Sequence, residues 1–164
     1  MSEEFVILAV RIRSELPEIE RLVRRVNDGW QRAAQTGDDL YLDGVALNLH
    51  GFYNALEKIF GRIADATGER IPEGANWHQG LLQQMSTEVA GTRPAVISEP
   101  VKVQLDEFRA FRHVARNVYG FNLQPAKLER LVTEVATLTP LVTAELGAFA
   151  DFLAQADDDP VGDR

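Results

Sequence analysis

Apolar positions along this chain recur every three or four residues and nowhere alternate long enough to mark a strand. From about Glu3 to Ala34, Ile12, Leu16, Ile19, Leu22, Val23, Val26 and Trp30 fall on one face, which predicts an amphipathic helix. Pro17 sits inside it and should kink it or mark a restart, because proline has no backbone N–H to give. "QTGDD" reads as a loop with Asp38 or Asp39 as N-cap. The next stripe is the clearest: Leu42, Val45, Ala46, Leu49, Phe52, Tyr53, Leu56, Ile59, Phe60 and Ile63 follow a near-heptad spacing that ends at Gly68.

Beyond the loop "GERIPEGA" a short helix is predicted from near Asn76, with Asn76 and Gln79 at capping-box spacing and Leu81, Leu82 and Met85 behind them. Another helix begins near Ser98 or Glu99, where Pro100 suits the first turn, and stops at Gly120. A last one starts near Pro125 and runs through Leu128, Leu131, Val132, Val135, Leu138, Val142 and Leu146 to Phe149, with Pro140 expected to bend it. Four long amphipathic helices and short connections predict an all-α fold, an antiparallel four-helix bundle with one additional short helix. One domain over residues 1–154 is expected, followed by a disordered acidic tail over 155–164.

Composition narrows the function classes. The formal net charge is -8, which argues against a general nucleic-acid coat while leaving room for a small basic site. "FVILAV" is too short to span a bilayer and has acids before it, so neither a membrane span nor a signal peptide is expected. The absence of cysteine fits a reducing compartment, and a cytoplasmic location is expected. His50, His78 and His113 lie in different segments without zinc spacing, so no metal or other cofactor is expected.

Against this acidic background, "EFRAFRHVARNVYG" at 107–120 gathers Arg109, Arg112, His113, Arg116, Asn117 and Tyr119. Arg112, Arg116 and Tyr119 stand at i, i+4 and i+7 on one helical face, with Arg109 close by. Crowded guanidiniums repel unless acids from a neighbouring helix or partner, or an anion such as phosphate, relieve them. The plainer alternative is a solvated helix face, with His113 at its boundary and Tyr119 a packing residue. His50 reads as a polar boundary residue, and Trp77 as the anchor that docks the short helix. Asp43, Glu57 and Asp65 read as a solvated face without a paired-carboxylate pattern, and "GTRP" and "PEGA" as turns.

Arg112, four residues, Asn117, one residue, then Tyr119 resembles the R-x-x-x-x-H-x-Y signature of HepT-like toxins of the HEPN group. "YLDGVALNLHGFYNALEKIFGRIA" at 41–64, "WHQGLLQQM" at 77–85 and "FRHVARNVYGFNL" at 111–123 resemble blocks of one HepT-like subfamily, in the same order. The resemblance implies a helical bundle that forms a homodimer, metal-independent RNA endonuclease activity, and an MNT-type nucleotidyltransferase antitoxin that transfers AMP onto the motif tyrosine. Arg112 matches the motif arginine, His113 the polar position after it and Tyr119 the tyrosine, with Arg109 and Arg116 as candidate phosphate contacts. Asn117 departs from the pattern, standing where the family has histidine. Histidine moves protons near neutral pH, whereas asparagine only orients by hydrogen bonding. Either His113 takes the role or it only shapes the site. The other function class is a catalytically inactive bundle that binds a partner protein or nucleotide through the Arg112, Arg116 and Tyr119 face.

Overall fold

The computed structural model describes residues 2–117 and 123–156, with only the backbone of Ser2, Val114, Arg116 and Asn117. Among the described residues five helices follow in order: α1 (Ser2–Thr36), α2 (Leu40–Ala66), α3 (Trp77–Met85), α4 (Glu99–Asn117) and α5 (Pro125–Gln155). The all-α helical bundle expected from the periodicity is the fold observed; among the described residues the one extended pairing is an isolated Val89–Arg93 bridge. The predicted stop at Gly120 and the tail beyond Ala156 lie outside the described residues.

α1 packs between α2 and α5, and α4 closes the bundle against those same two helices. Directions follow from paired contacts. Glu15 of α1 meets Arg62, late in α2, at 3.5 Å, while Gly29, later in α1, lies against Val45, early in α2. Arg13 meets Asp151, late in α5, at 2.7 Å, while residues 16–27 of α1 share a groove with residues 136–144 of α5. Both partners of α1 therefore run antiparallel to it. The start of α4 faces the later part of α5, where the Ser98 N–H donates to both carboxylate oxygens of Glu145 at 3.2 Å. α4 crosses α2 where the rings of Phe52 and Phe108 meet edge to face, 5.4 Å between centroids. The short α3 lies over the α2–α4 seam, its Leu81, Leu82 and Met85 buried and Trp77 half-buried against the core, the anchoring expected of Trp77.

Pro17 neither ends nor restarts α1, which is one continuous helix. Pro17 is exposed, so the backbone bond it removes lies on the wet side, while Ile12 and Ile19 bury the stripe on either side. α5 likewise continues through an exposed Pro140. The capping box expected at α3 is absent: Asn76 is the N-cap residue but its side chain makes no cap bond. Ahead of α2, the Asp38 side chain accepts the Leu40 N–H at 3.0 Å.

α2 stops as predicted, in a turn that does more than end a helix. Gly68 takes φ +72, the Glu69 N–H bonds the Ala64 carbonyl at 2.8 Å and the Gly68 N–H that of Asp65 at 3.1 Å. This delivers the Glu69 carboxylate to Arg93, whose side chain is 0% exposed. Arg93 Nε donates to Glu69 Oε2 at 2.6 Å and Nη2 to Oε1 at 2.7 Å. The remaining N–H groups reach the carbonyls of Thr87, Pro94 and Gln84 at 3.0, 3.0 and 3.1 Å. All five donors are used, so a charge that is costly to bury is fully compensated. Burial works against ionisation of Glu69, but hydrogen bonds from Arg93, Thr67 and Gln84 outweigh it and hold its pKa below the usual 4.5.

Glu69→Ala, which strands the buried guanidinium, is expected to cost about 3–5 kcal/mol in denaturant unfolding. A folded pKa below the unfolded one means that the contribution is complete above 4.5 and fades as pH falls through the lowered value. The stability gap between native chain and variant should therefore hold at neutral pH and narrow only in that acid range.

Candidate functional site

A buried carboxylate, that of Glu57, organises the basic face of α4 into a site. Tyr53, Glu57 and Phe60 share a face of α2 at i, i+4 and i+7, and all three are buried. The spacing groups Glu57 with Asp43 and Asp65 on a solvated face; those two are exposed, but Glu57 is enclosed by α3 and α4. Its Oε1 accepts from Nη1 of Arg112 and its Oε2 lies 2.7 Å from Nδ1 of His78. Side-chain exposure rises from 7% at Glu57 through 14% at Arg112 to 27% at His78, so the cluster opens outward from its anion.

A carboxylate can only accept, so the contact at 2.7 Å assigns the proton of His78 to Nδ1. Arg112 Nη1 is 3.3 Å from the same nitrogen, a close approach of two donors rather than a hydrogen bond. Trp77 covers the imidazole, with ring centroids 3.6 Å apart. Two independent contacts thus fix the ring of His78. Below it, the hydroxyl of Tyr53 is buried without a partner among the described residues. Burial, then the charge of Glu57, pushes its pKa well up, so the phenol stays neutral.

The cluster faces a cavity of about 230 Å³ lined by Ala75, Asn76, His78, Gln79, Arg109, Arg112 and His113. That is smaller than the pockets that enclose drug-sized ligands, about 300–1,000 Å³, and suits a charged group rather than a whole nucleotide. Arg109, Arg112 and His113 of α4 all line this cavity. The side chains of Arg116 and Asn117, and all of Tyr119, lie outside the described residues. The arginines are not left to repel: Arg112 pairs with Glu57, and Arg109 with Asp106 one turn back at 2.6 Å. Of the two remedies open at the sequence level, acids supplied by the fold are therefore present. His78 and Glu57 were missed as site residues. The signal for Glu57 was its place between Tyr53 and Phe60 on the buried stripe; His78 carried none beyond standing next to the anchor Trp77.

No helix among the described residues is long and apolar enough to cross a membrane. A family model described as HepT-like protein matches residues 44–153, which runs from the first turns of α2 through most of α5 and leaves out α1. No curated protein and no solved structure matches the chain.

Glu57→Ala and Arg112→Ala should each cost about 3 kcal/mol or more, since each strands a largely buried charge. The double variant should cost less than the sum by about 1–3 kcal/mol, measured as a double-mutant cycle in urea.

Proposed function

This chain belongs to the HepT-like family of the HEPN superfamily, and we propose that it is the toxin of a toxin–antitoxin pair, a metal-independent RNA endonuclease. The observation that carries this reading is the cavity in which Arg112, in the motif slot, stands with Arg109, His113 and His78. Two guanidiniums and two imidazoles around a space of phosphodiester size suit RNA cleavage by its own 2′-hydroxyl. A base removes the hydroxyl proton, the oxygen attacks the adjacent phosphorus, and the arginines stabilise charge growing on the phosphoryl oxygens. The active species on this reading is a cytoplasmic homodimer. Its partner is an MNT-type nucleotidyltransferase, which silences it by joining AMP from ATP to the Tyr119 phenol with release of pyrophosphate. The support for Tyr119 is its place in the motif, seven residues after Arg112.

A second reading has its own observation. Asn117 stands in the histidine slot, which favours a catalytically inactive bundle that binds a partner protein or nucleotide on this face. Expression of the native chain alone separates the two readings, since growth arrest with RNA cleavage belongs only to the first. Arg112→Ala should lower cleavage by roughly 10²–10³, but it also strands Glu57, so its melting must be measured beside it. Arg109→Ala leaves the Glu57–Arg112 pair in place and should weaken RNA binding with little change in melting. Asn117→His should raise the cleavage rate by roughly 10²–10⁴ if the slot lacks only its proton-transfer group. Incubation with the nucleotidyltransferase and ATP should add AMP-sized mass steps that Tyr119→Phe removes.

A further inference from the structure

We infer that His78, on a different helix from the R-x-x-x-x-N-x-Y segment, is the proton-transfer group of this site, with Glu57 as the residue that positions it. The inference rests on the ribonuclease reading and supplies the group that Asn117 cannot be. Asparagine has no nitrogen that takes up a proton near neutral pH. An imidazole can both accept and donate a proton, and the imidazole of His78 borders the cavity. The Glu57 carboxylate, 2.7 Å away, holds the proton on Nδ1, which leaves Nε2 as the basic nitrogen. Nε2 makes no hydrogen bond among the described residues, and the imidazole borders the cavity that Arg109, Arg112 and His113 also line. Trp77, tilted over the ring at 3.6 Å between centroids, restricts it from the other side. A carboxylate that fixes the tautomer and angle of a histidine is a recurring way to prepare a general base. Here that carboxylate is held in turn by Arg112, so the motif arginine and the base share one buried anion.

The step balances within the site. Nε2 of His78 takes the proton of the ribose 2′-hydroxyl as O2′ gives its electron pair to phosphorus. The P–O5′ bond breaks with its pair on O5′, which takes a proton from water. The products are a 2′,3′-cyclic phosphate and a free 5′-hydroxyl, and the imidazolium returns its proton to solvent.

The test compares the full-length native chain, His78→Ala, His78→Asn and Glu57→Gln on an RNA oligonucleotide containing every dinucleotide step. His78→Asn is the key variant. Its amide N–H replaces Nδ1–H toward Glu57 and keeps that bond, while Nε2 is gone. Both His78 variants should lose roughly 10²–10⁴ in kcat, with KM within about threefold of native. Added imidazole should restore part of the activity of His78→Ala, an effect that lost packing would not give. Glu57→Gln should lower kcat more than KM. Cleavage by His78→Asn within about threefold of native, or no imidazole rescue in a folded His78→Ala, overturns the role of His78 and leaves the ribonuclease reading standing. If neither the native chain nor Asn117→His cleaves the oligonucleotide, the ribonuclease reading falls and the role of His78 with it.

Discussion

A carboxylate taken out of water costs several kcal/mol unless opposite charge and hydrogen-bond donors meet it. Glu57 imposes that demand at the middle of this bundle, and three helices answer it. α2 supplies the anion, α4 brings Arg112, and α3 brings His78. The position of α3 over the α2–α4 seam is thereby set by polar contacts as well as by Leu81, Leu82 and Met85. Tyr53, one turn before Glu57 and beneath the same charge, is kept neutral by burial. The cavity is what remains where these demands are met on the inside and open on the outside.

The Glu69–Arg93 pair shows what a buried pair looks like when nothing is left over. There the guanidinium spends all five donors on the carboxylate and three carbonyls, and the side chain is sealed. That pair fixes the connection between α3 and α4 and offers no ligand a foothold. The Glu57 cluster differs on each count. Among the described residues, Nε of Arg112 is buried without an acceptor and Nε2 of His78 makes no hydrogen bond, and the group borders a cavity. Two buried anions in one small fold thus serve different ends, and the unspent hydrogen-bonding capacity tells them apart.

Helices were legible because periodic burial dominates their energetics: the stripe predicted on α5 is buried throughout, and those on α1 and α2 are buried except at Leu16, Leu22, Trp30 and Leu42, which are partly buried. What failed depended on surroundings that spacing cannot encode. Pro17 marks no restart because its missing bond faces water. Glu57 was misread because three acids along one helix look alike until α3 and α4 settle over one of them. Arg93, inside a stretch read as a turn, is among the most buried side chains in the chain, and only the distant Glu69 explains it. On α4 the clustering of Arg109, Arg112 and His113 was visible, but the counter-ion of Arg112 was not, because Glu57 lies 55 residues away. Part of the motif, from the side chain of Arg116 to Tyr119, falls outside the described residues.

The electrostatics of the cavity weigh on the choice between function classes. Each arginine that lines it already faces a carboxylate, and the chain as a whole carries a net charge of -8. A resting phosphodiester, with a single negative charge, gains little from a neutralised pair and is repelled at long range by the acidic surface. Static anion binding is therefore the task this arrangement suits least. Catalysis asks for something else, a gain that appears only as charge builds on the phosphoryl oxygens. Donors held in place by Glu57 need no reorganisation when that happens, and a histidine already aimed by the same carboxylate needs none to take a proton. Fixing the cationic groups against buried carboxylates sacrifices ground-state affinity for orientation, which is a poor arrangement for a phosphate receptor and a coherent one for an enzyme.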